Sequence, residues 1–112
     1  MKRLLLALAV GLFALTARAD PYFMDGNALQ GRLARQDPSA AAYVFGIYDG
    51  IEIVQYHTPS AQRLMCPPAA TSGSELLDAV RGYMEVEPGL LDYPAAILVL
   101  RALVWAFPCD RT

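Results

Sequence analysis

The chain has 112 residues with nine basic and eleven acidic side chains, and its formal net charge is −2. Three of the bases, Lys2, Arg3 and Arg18, lie at the amino terminus, which leaves six arginines against eleven acids, a net charge of about −5, beyond residue 19. A region this acidic repels phosphate backbones and anionic lipid headgroups. Its charge argues against nucleic-acid and membrane-surface binding, and it favours a basic protein partner.

The first nineteen residues have the three parts of a cleavable secretory signal peptide. Lys2 and Arg3 form the basic start, residues 4–15 are almost all apolar, and Ala17 and Ala19 precede the expected cleavage site. The apolar run is shorter than the roughly 20 residues that a membrane-spanning helix needs. We therefore predict a signal peptide over residues 1–19 and a single helical domain over residues 20–112, with an uncleaved amino-terminal anchor as the alternative.

Both cysteines, Cys66 and Cys109, lie in the part of the chain that would be exported. Export places them in an oxidising compartment, where two thiols normally pair. We predict a disulfide between them, which on the chain-entropy model stabilises the fold by roughly 3 to 4 kcal/mol. A metal site is the competing interpretation, but it would need further ligands, and His57 is the only histidine.

Start signals and apolar spacing predict four helices. Asp25 precedes the first, Asp37 with Pro38 precedes the second, and Ser72 with Glu75 forms the pattern of a capping box before the third. The predicted ranges are residues 28–35, 39–56, 72–87 and 92–107. No stretch of useful length alternates as a strand does. We therefore predict an all-α fold, a compact bundle of about four helices closed by one disulfide.

The fourth predicted helix is apolar on every side except at Arg101. A helix without a polar face is normally buried, and this one is too short to cross a membrane. We expect it at the centre of the domain, where Arg101 would need an acidic partner, or shared across a dimer interface.

Residue combinations that could carry catalysis are weak in this sequence. A Cys/His nucleophile would need a free cysteine beside His57, and the predicted disulfide leaves none. Asp49 and Glu52, three residues apart on the second helix, could form a carboxylate pair for acid/base work or for a metal. Such pairs more often lie on a solvated face. We predict no catalytic, metal-binding or cofactor-binding residues and no enzymatic activity.

One side of the second helix is typical of a protein-binding surface, because it combines aromatic and acidic residues. Its members are Phe45, Asp49, Glu52 and Tyr56. We predict that they bind a partner together with His57 and Arg63 in the adjoining loop. Packing of the two aromatic side chains on neighbouring helices is the alternative. The predicted core stripe of the same helix consists of Val44, Ile47, Ile51 and Val54.

Gly46 and Gly50 lie within the second predicted helix, where each costs about 1 kcal/mol relative to alanine. Their spacing puts both glycines on one side. We expect that another helix approaches closely there.

The carboxyl half of the sequence resembles the Rap/Tai immunity proteins, small exported partners of type VI secretion amidase effectors. The matching pieces are Cys66-Pro67, SGSELLDAVRGYMEVEP and YPAAILVLRALVWAFPC, while AYVFGIYDG is similar to the family's Tyr-x-x-Gly-x-x-Asp helix. The resemblance extends from about residue 26 to residue 109. Many members carry a further cysteine pair near the first two helices, which this chain lacks. We therefore expect the first helix to be held only by packing.

The resemblance implies an all-α periplasmic protein that binds a peptidoglycan-cleaving amidase and blocks its active site. It also implies a homodimer, since family members commonly act as dimers. Family membership alone does not determine function. The alternative is a non-enzymatic envelope accessory or assembly protein that uses the same domain for another protein partner.

Overall fold

The computed structural model describes residues 22–110, which form a bundle of four α-helices. The helices are α1 (Gly26–Ala34), α2 (Pro38–Val54), α3 (Gly73–Val86) and α4 (Ala95–Ala106), with single 3₁₀ turns at Ser60–Gln62 and Pro88–Leu90. No strand occurs among these residues, and the all-α prediction is confirmed. The expected signal peptide, residues 1–19, lies outside the described residues. Within residues 22–110 no helix has the length and apolarity needed to cross a membrane.

Helices α1 and α3 begin at side chains that cap them, as the sequence predicts. The Asp25 carboxylate accepts a hydrogen bond from the backbone N–H of Ala28 at 2.8 Å. The Ser72 hydroxyl accepts one from the backbone N–H of Glu75 at 3.2 Å. Each bond satisfies a backbone donor that has no partner inside the helix, which explains why the helices start at these positions.

The cap of α2 is expected to make stability depend on pH. Asp37 accepts a hydrogen bond from the Ser39 backbone N–H at 2.9 Å. The pKa of Asp37 is lowered from its usual 3.8, mainly by this bond and by a hydrogen bond with the Ser39 hydroxyl. The positive charges of two arginines at the end of α1 lower it by a smaller amount. Because the folded-state pKa is depressed, the ionised cap stabilises the fold above the unfolded-state pKa. This stabilisation is lost as the pH falls through the folded-state pKa.

We expect Asp37→Asn to remove this part of the acid dependence of the free energy of unfolding. Urea denaturation at a series of pH values from neutral to acidic would measure it, with Asp49→Asn as a control on the exposed side of the same helix. An identical acid dependence in the wild type and in Asp37→Asn would contradict the prediction.

The hydrophobic core lies between the four helices, and α4 is at its centre because it packs against the other three. The buried hydrophobic residues are Leu29, Leu33, Ala40, Val44, Met65, Leu76, Val80, Met84, Ala95, Leu98, Val99, Ala102 and Leu103. All but Met65 are on the helices, and Met65 fills the core from the loop between α2 and α3. This loop is therefore part of the packed structure.

One side of α4 is open, which corrects the expectation that this helix is buried all round. Arg101 is exposed there, and the Trp105 side chain is 58% exposed. Arg101 forms no ion pair within residues 22–110, so the prediction of an acidic partner inside the domain is wrong. Three neighbouring helices cover only part of the circumference of α4. Water can therefore solvate the Arg101 side chain.

The predicted disulfide joins Cys66 to Cys109 and is confirmed. The two residues are 43 positions apart, with their Cα atoms 4.8 Å from each other. A backbone hydrogen bond of 2.8 Å from Cys66 N–H to the Phe107 carbonyl lies beside it. The end of α4 is therefore attached to the loop between α2 and α3 by a covalent bond and a hydrogen bond.

Helix α1 is held by more than packing, which corrects the expectation from the missing second cysteine pair. The backbone N–H of Asn27 donates to the Leu91 carbonyl at 2.9 Å, and its side-chain amide donates to the Asp92 carboxylate at 2.9 Å. Gly26 N–H donates to the Tyr93 carbonyl at 2.9 Å. These bonds join the start of α1 to the connection between α3 and α4.

Candidate protein-binding surfaces

Five residues form the exposed side of α2, which we call the outer face of α2: Ala42, Gly46, Asp49, Gly50 and Ile53. The expectation that a neighbouring helix would approach the two glycines is wrong. Within the described residues, and apart from the backbone of α2 itself and the adjacent residues in the chain, nothing lies within 4 Å of a Cβ atom placed at either glycine. The other helices pack on the opposite side of α2, around its buried residues Ala40 and Val44. The small side chains therefore leave the backbone of α2 open to an outside partner.

The predicted core stripe of α2 is correct at one end and wrong at the other. Val44 is buried, and Ile47 and Ile51 are half-buried against the core. Val54, however, is 81% exposed. The helix ends at Val54, and the next residue, Gln55, takes the buried position. Val54 and Ile53 therefore form an apolar end to the outer face of α2.

Gly46→Ala should stabilise the protein by about 0.5–1 kcal/mol, because alanine has the higher helix propensity and the new methyl group meets no atom. Gly73→Ala is a matched contrast, since its Cβ atom would lie 2.8 Å from Cζ of Phe45. Urea denaturation of both variants would measure the difference. A loss of stability in Gly46→Ala would contradict the open outer face of α2.

The residues predicted to bind a partner are not equally accessible. Asp49, Tyr56 and His57 are exposed, while Phe45 and Glu52 are half-buried. The Phe45 ring packs against the core beside the first residue of α3. Most of its surface is therefore used in packing on neighbouring helices, which is the alternative given for this residue.

The loop after α2 presents two of these residues together. The rings of Tyr56 and His57 make an edge-to-face contact with centroids 4.7 Å apart, and the Tyr56 side chain is 71% exposed. Half-buried Arg63 donates from Nε to the Thr58 carbonyl at 2.9 Å. This bond closes the turn that carries the rings. The loop thus continues the exposed surface beyond the end of α2.

Gln55 holds this loop in place, and sequence analysis assigned no role to it. Its side chain is buried, with the amide nitrogen donating to the Met65 carbonyl at 2.8 Å and to the Glu52 carboxylate at 3.0 Å. Its amide oxygen accepts from the Leu64 backbone N–H at 3.1 Å. The only feature of the sequence that could have indicated this role is the position of Gln55, an uncharged polar residue directly after the apolar end of α2. A buried amide with both ends satisfied specifies one loop position.

The surface around the middle of α2 is electronegative. Burial raises the pKa of Tyr48, and the charges of Glu52 and Asp49 raise it further. No group of three or more His, Cys, Asp or Glu residues within 22–110 is arranged to hold a metal ion. A negative surface next to exposed apolar side chains complements a basic protein surface.

A second exposed surface is an apolar groove between α3 and α4 with a volume of about 510 Å³. Its lining residues are Leu64, Tyr83, Glu87, Leu100, Arg101, Val104 and Trp105, which we call the α3–α4 groove. The centroids of the Tyr83 and Trp105 rings lie 5.9 Å apart in it. The sequence did not reveal this groove, since an apolar helix interrupted only by Arg101 indicates a buried helix.

These features define a small, disulfide-closed helical domain whose exposed surfaces suit the binding of another protein. A family model described as Rap1a immunity proteins matches residues 25–109. The chain belongs to this family, which confirms the resemblance found in the sequence. No curated protein and no solved structure matches the chain. Membership implies an immunity function, exerted by binding a partner effector protein.

Proposed function

We propose that this protein is a periplasmic immunity protein that binds a peptidoglycan amidase effector and inhibits it by covering its active-site cleft. The observation that carries the proposal is the family match over residues 25–109, almost the whole described domain. The amidase target and the periplasmic location agree with the amino-terminal export pattern. Such inhibition needs no catalytic residues, because an occluded cleft cannot admit the cell-wall substrate.

The outer face of α2 and the loop that follows it are the surface we propose for the effector. Asp49 supplies negative charge, and Ile53, Val54 and Tyr56 supply exposed apolar area, from 71% to 81% for each of the three side chains. Aromatic and aliphatic side chains of this kind act as anchors in protein interfaces, while charges favour one class of partner. His57 and Arg63 extend the proposed contact along the loop.

Co-purification with the amidase encoded by the neighbouring gene tests the proposed function. The protein should form a stable complex with that amidase and abolish its hydrolysis of peptidoglycan when added in equal amount. Failure to bind or inhibit any amidase encoded nearby would contradict the proposal and would favour an envelope accessory role.

Asp49→Arg should weaken amidase binding about tenfold or more, because it places a positive charge opposite a basic partner surface. Glu85→Arg makes the same change of charge at an exposed position on α3. It is the matched control and should leave the affinity nearly unchanged. Isothermal titration calorimetry with both variants would measure the effect. Equal affinities for the two variants would place the effector on another surface.

The proposal also includes the pairing of two copies of the chain. It is supported by the family resemblance and by the exposed Trp105 side chain on the open side of α4.

A further inference from the structure

We infer that Gln55 and Glu52 act as a positioning pair, which fixes the loop of residues 56–63 in the conformation that the effector binds. This role rests on the proposed function and deepens it, because it explains how part of the proposed effector surface is presented. It also reassigns Glu52, which the sequence pattern placed among the residues that contact the partner.

The Gln55 side chain joins the two ends of the 56–63 loop. Gln55 directly precedes the loop, and its side chain bonds to both residues that directly follow it. The amide oxygen accepts from the Leu64 backbone N–H at 3.1 Å, and the amide nitrogen donates to the Met65 carbonyl at 2.8 Å. Gln55 is only 4% exposed, so its removal would leave backbone groups without a partner where water has little access.

Each side of this connection is itself fixed to the helical bundle. On one side, the Gln55 backbone N–H donates to the Ile51 carbonyl of α2 at 3.0 Å. On the other side, Met65 is fully buried, and Cys66 is held to the end of α4 by the disulfide and by a backbone hydrogen bond. The Gln55 amide therefore connects two anchored points, and it sets how the 56–63 loop leaves the domain and returns to it.

Glu52 selects the orientation of the Gln55 amide. A side-chain amide can exchange the places of its oxygen and nitrogen by rotating about its last bond. The Glu52 carboxylate, which only accepts hydrogen bonds, receives one from the amide nitrogen at 3.0 Å. This nitrogen is the atom that must face the Met65 carbonyl, so the Glu52 bond favours the orientation that ties the loop. Half-buried Glu52 is thus engaged inside the domain and acts through Gln55.

The 56–63 loop depends on these bonds because it has little packing of its own. None of its residues belongs to the buried hydrophobic core. It nevertheless carries Tyr56 and His57, whose rings are in contact at its start. Inside the loop, Arg63 bonds to the Thr58 carbonyl. A loop that is already ordered loses little entropy when a partner binds, so fixing it should raise the affinity.

Binding kinetics with the amidase encoded by the neighbouring gene test the role of Gln55, using surface plasmon resonance. Gln55→Ala should weaken binding about tenfold, because a smaller fraction of the molecules then has the loop in the binding conformation. The loss should lie mainly in the association rate. Tyr56→Ala removes a proposed contact and should mainly raise the dissociation rate. Val80→Ala, a core substitution in α3, is the control for lost stability and should keep the wild-type affinity.

Two substitutions of Glu52 separate positioning from direct contact. Glu52→Ala and Glu52→Gln remove the same negative charge, but only glutamine keeps an oxygen that can accept from the Gln55 amide. Glu52→Gln should therefore retain more of the affinity than Glu52→Ala. Amide hydrogen exchange in the free protein provides a second measurement. The Leu64 N–H should exchange faster in Gln55→Ala and in Glu52→Ala than in the wild type, because its bond to Gln55 is lost or weakened.

Three outcomes would overturn the positioning pair. Folded Gln55→Ala that binds the amidase as the wild type does would refute the role of Gln55. Equal losses of affinity in Glu52→Ala and Glu52→Gln would make Glu52 a charged contact. A wild-type protein that binds no amidase would refute the proposed function together with the pair, and this result is distinguishable because it is measured without any substitution. If Gln55→Ala does not fold, the two variants at half-buried Glu52 decide the question.

Discussion

Replacing both Cys66 and Cys109 by alanine should lower the free energy of unfolding by roughly 3 to 4 kcal/mol. The disulfide joins residues 43 positions apart, and a cross-link over this distance removes much conformational freedom from the unfolded chain. Small domains are stable by only about 5 to 15 kcal/mol, so the loss is a large share of the total. Urea denaturation of the oxidised wild type and of the double variant would measure it.

The folded structure of the loop should survive this change, because other bonds hold it. Met65 is fully buried beside Cys66, and its carbonyl accepts from the Gln55 side chain at 2.8 Å. The double variant should therefore keep the helix content of the wild type in circular dichroism while unfolding at lower urea concentration. Wild-type protein treated with a reductant should match the double variant. A stability loss below about 1 kcal/mol would contradict the chain-entropy explanation.

Gly26→Ala should destabilise the protein by roughly 2 to 3 kcal/mol, since added volume has no room at this position. A Cβ atom there would overlap Cδ1 of Leu98 and would lie 2.8 Å from the Leu91 carbonyl oxygen and 2.9 Å from its Cα atom. The leucine side chain can move, but the backbone at Leu91 also accepts a bond from Asn27. The start of α1 must therefore shift away from its partner and lose hydrogen bonds.

Gly31→Ala, in the same helix, is the matched control for this prediction. A Cβ atom there meets only the Arg35 guanidinium at 3.4 Å, so the higher helix propensity of alanine should stabilise the fold by about 0.5–1 kcal/mol. Thermal and urea unfolding of the two variants should move in opposite directions. Equal effects of the two substitutions would show that the contact between Gly26 and Leu91 does not limit stability.

Sequence reasoning predicted the helices because their signals are local. Asp25, Asp37 and Ser72 cap the first three helices as expected, and each cap acts on a backbone N–H two or three residues away. The predicted end of α1, residue 35, lies one position from the observed end at Ala34. The positive φ of 55° at Gln36 in the turn that follows had no signal in the sequence, because glycine is the common residue in that conformation.

The candidate surfaces were only partly predictable. Asp49 and Tyr56 are exposed as a binding surface requires, but Phe45 proved to be half-buried, and the roles of all three in binding remain predictions. The outer face of α2 was mistaken for a packing surface because glycines in a helix permit close approach either of another helix of the domain or of an outside partner. The α3–α4 groove was missed because an apolar helix with one arginine predicts burial.

The sequence by itself determined the four helices, the cysteine pair, the acidic charge and the family. The helix signals act within a turn or so of the chain, while the charge, the number of cysteines and the family motifs do not depend on which distant residues come into contact. Only the tertiary structure decided which sides of α2 and α4 are open. It also placed Gln55 inside the core and Val54 outside it. Exposure depends on which distant elements cover a helix, and four helices around one core cannot enclose the one at their centre on every side. That uncovered side of α4 is where Arg101 and Trp105 meet solvent.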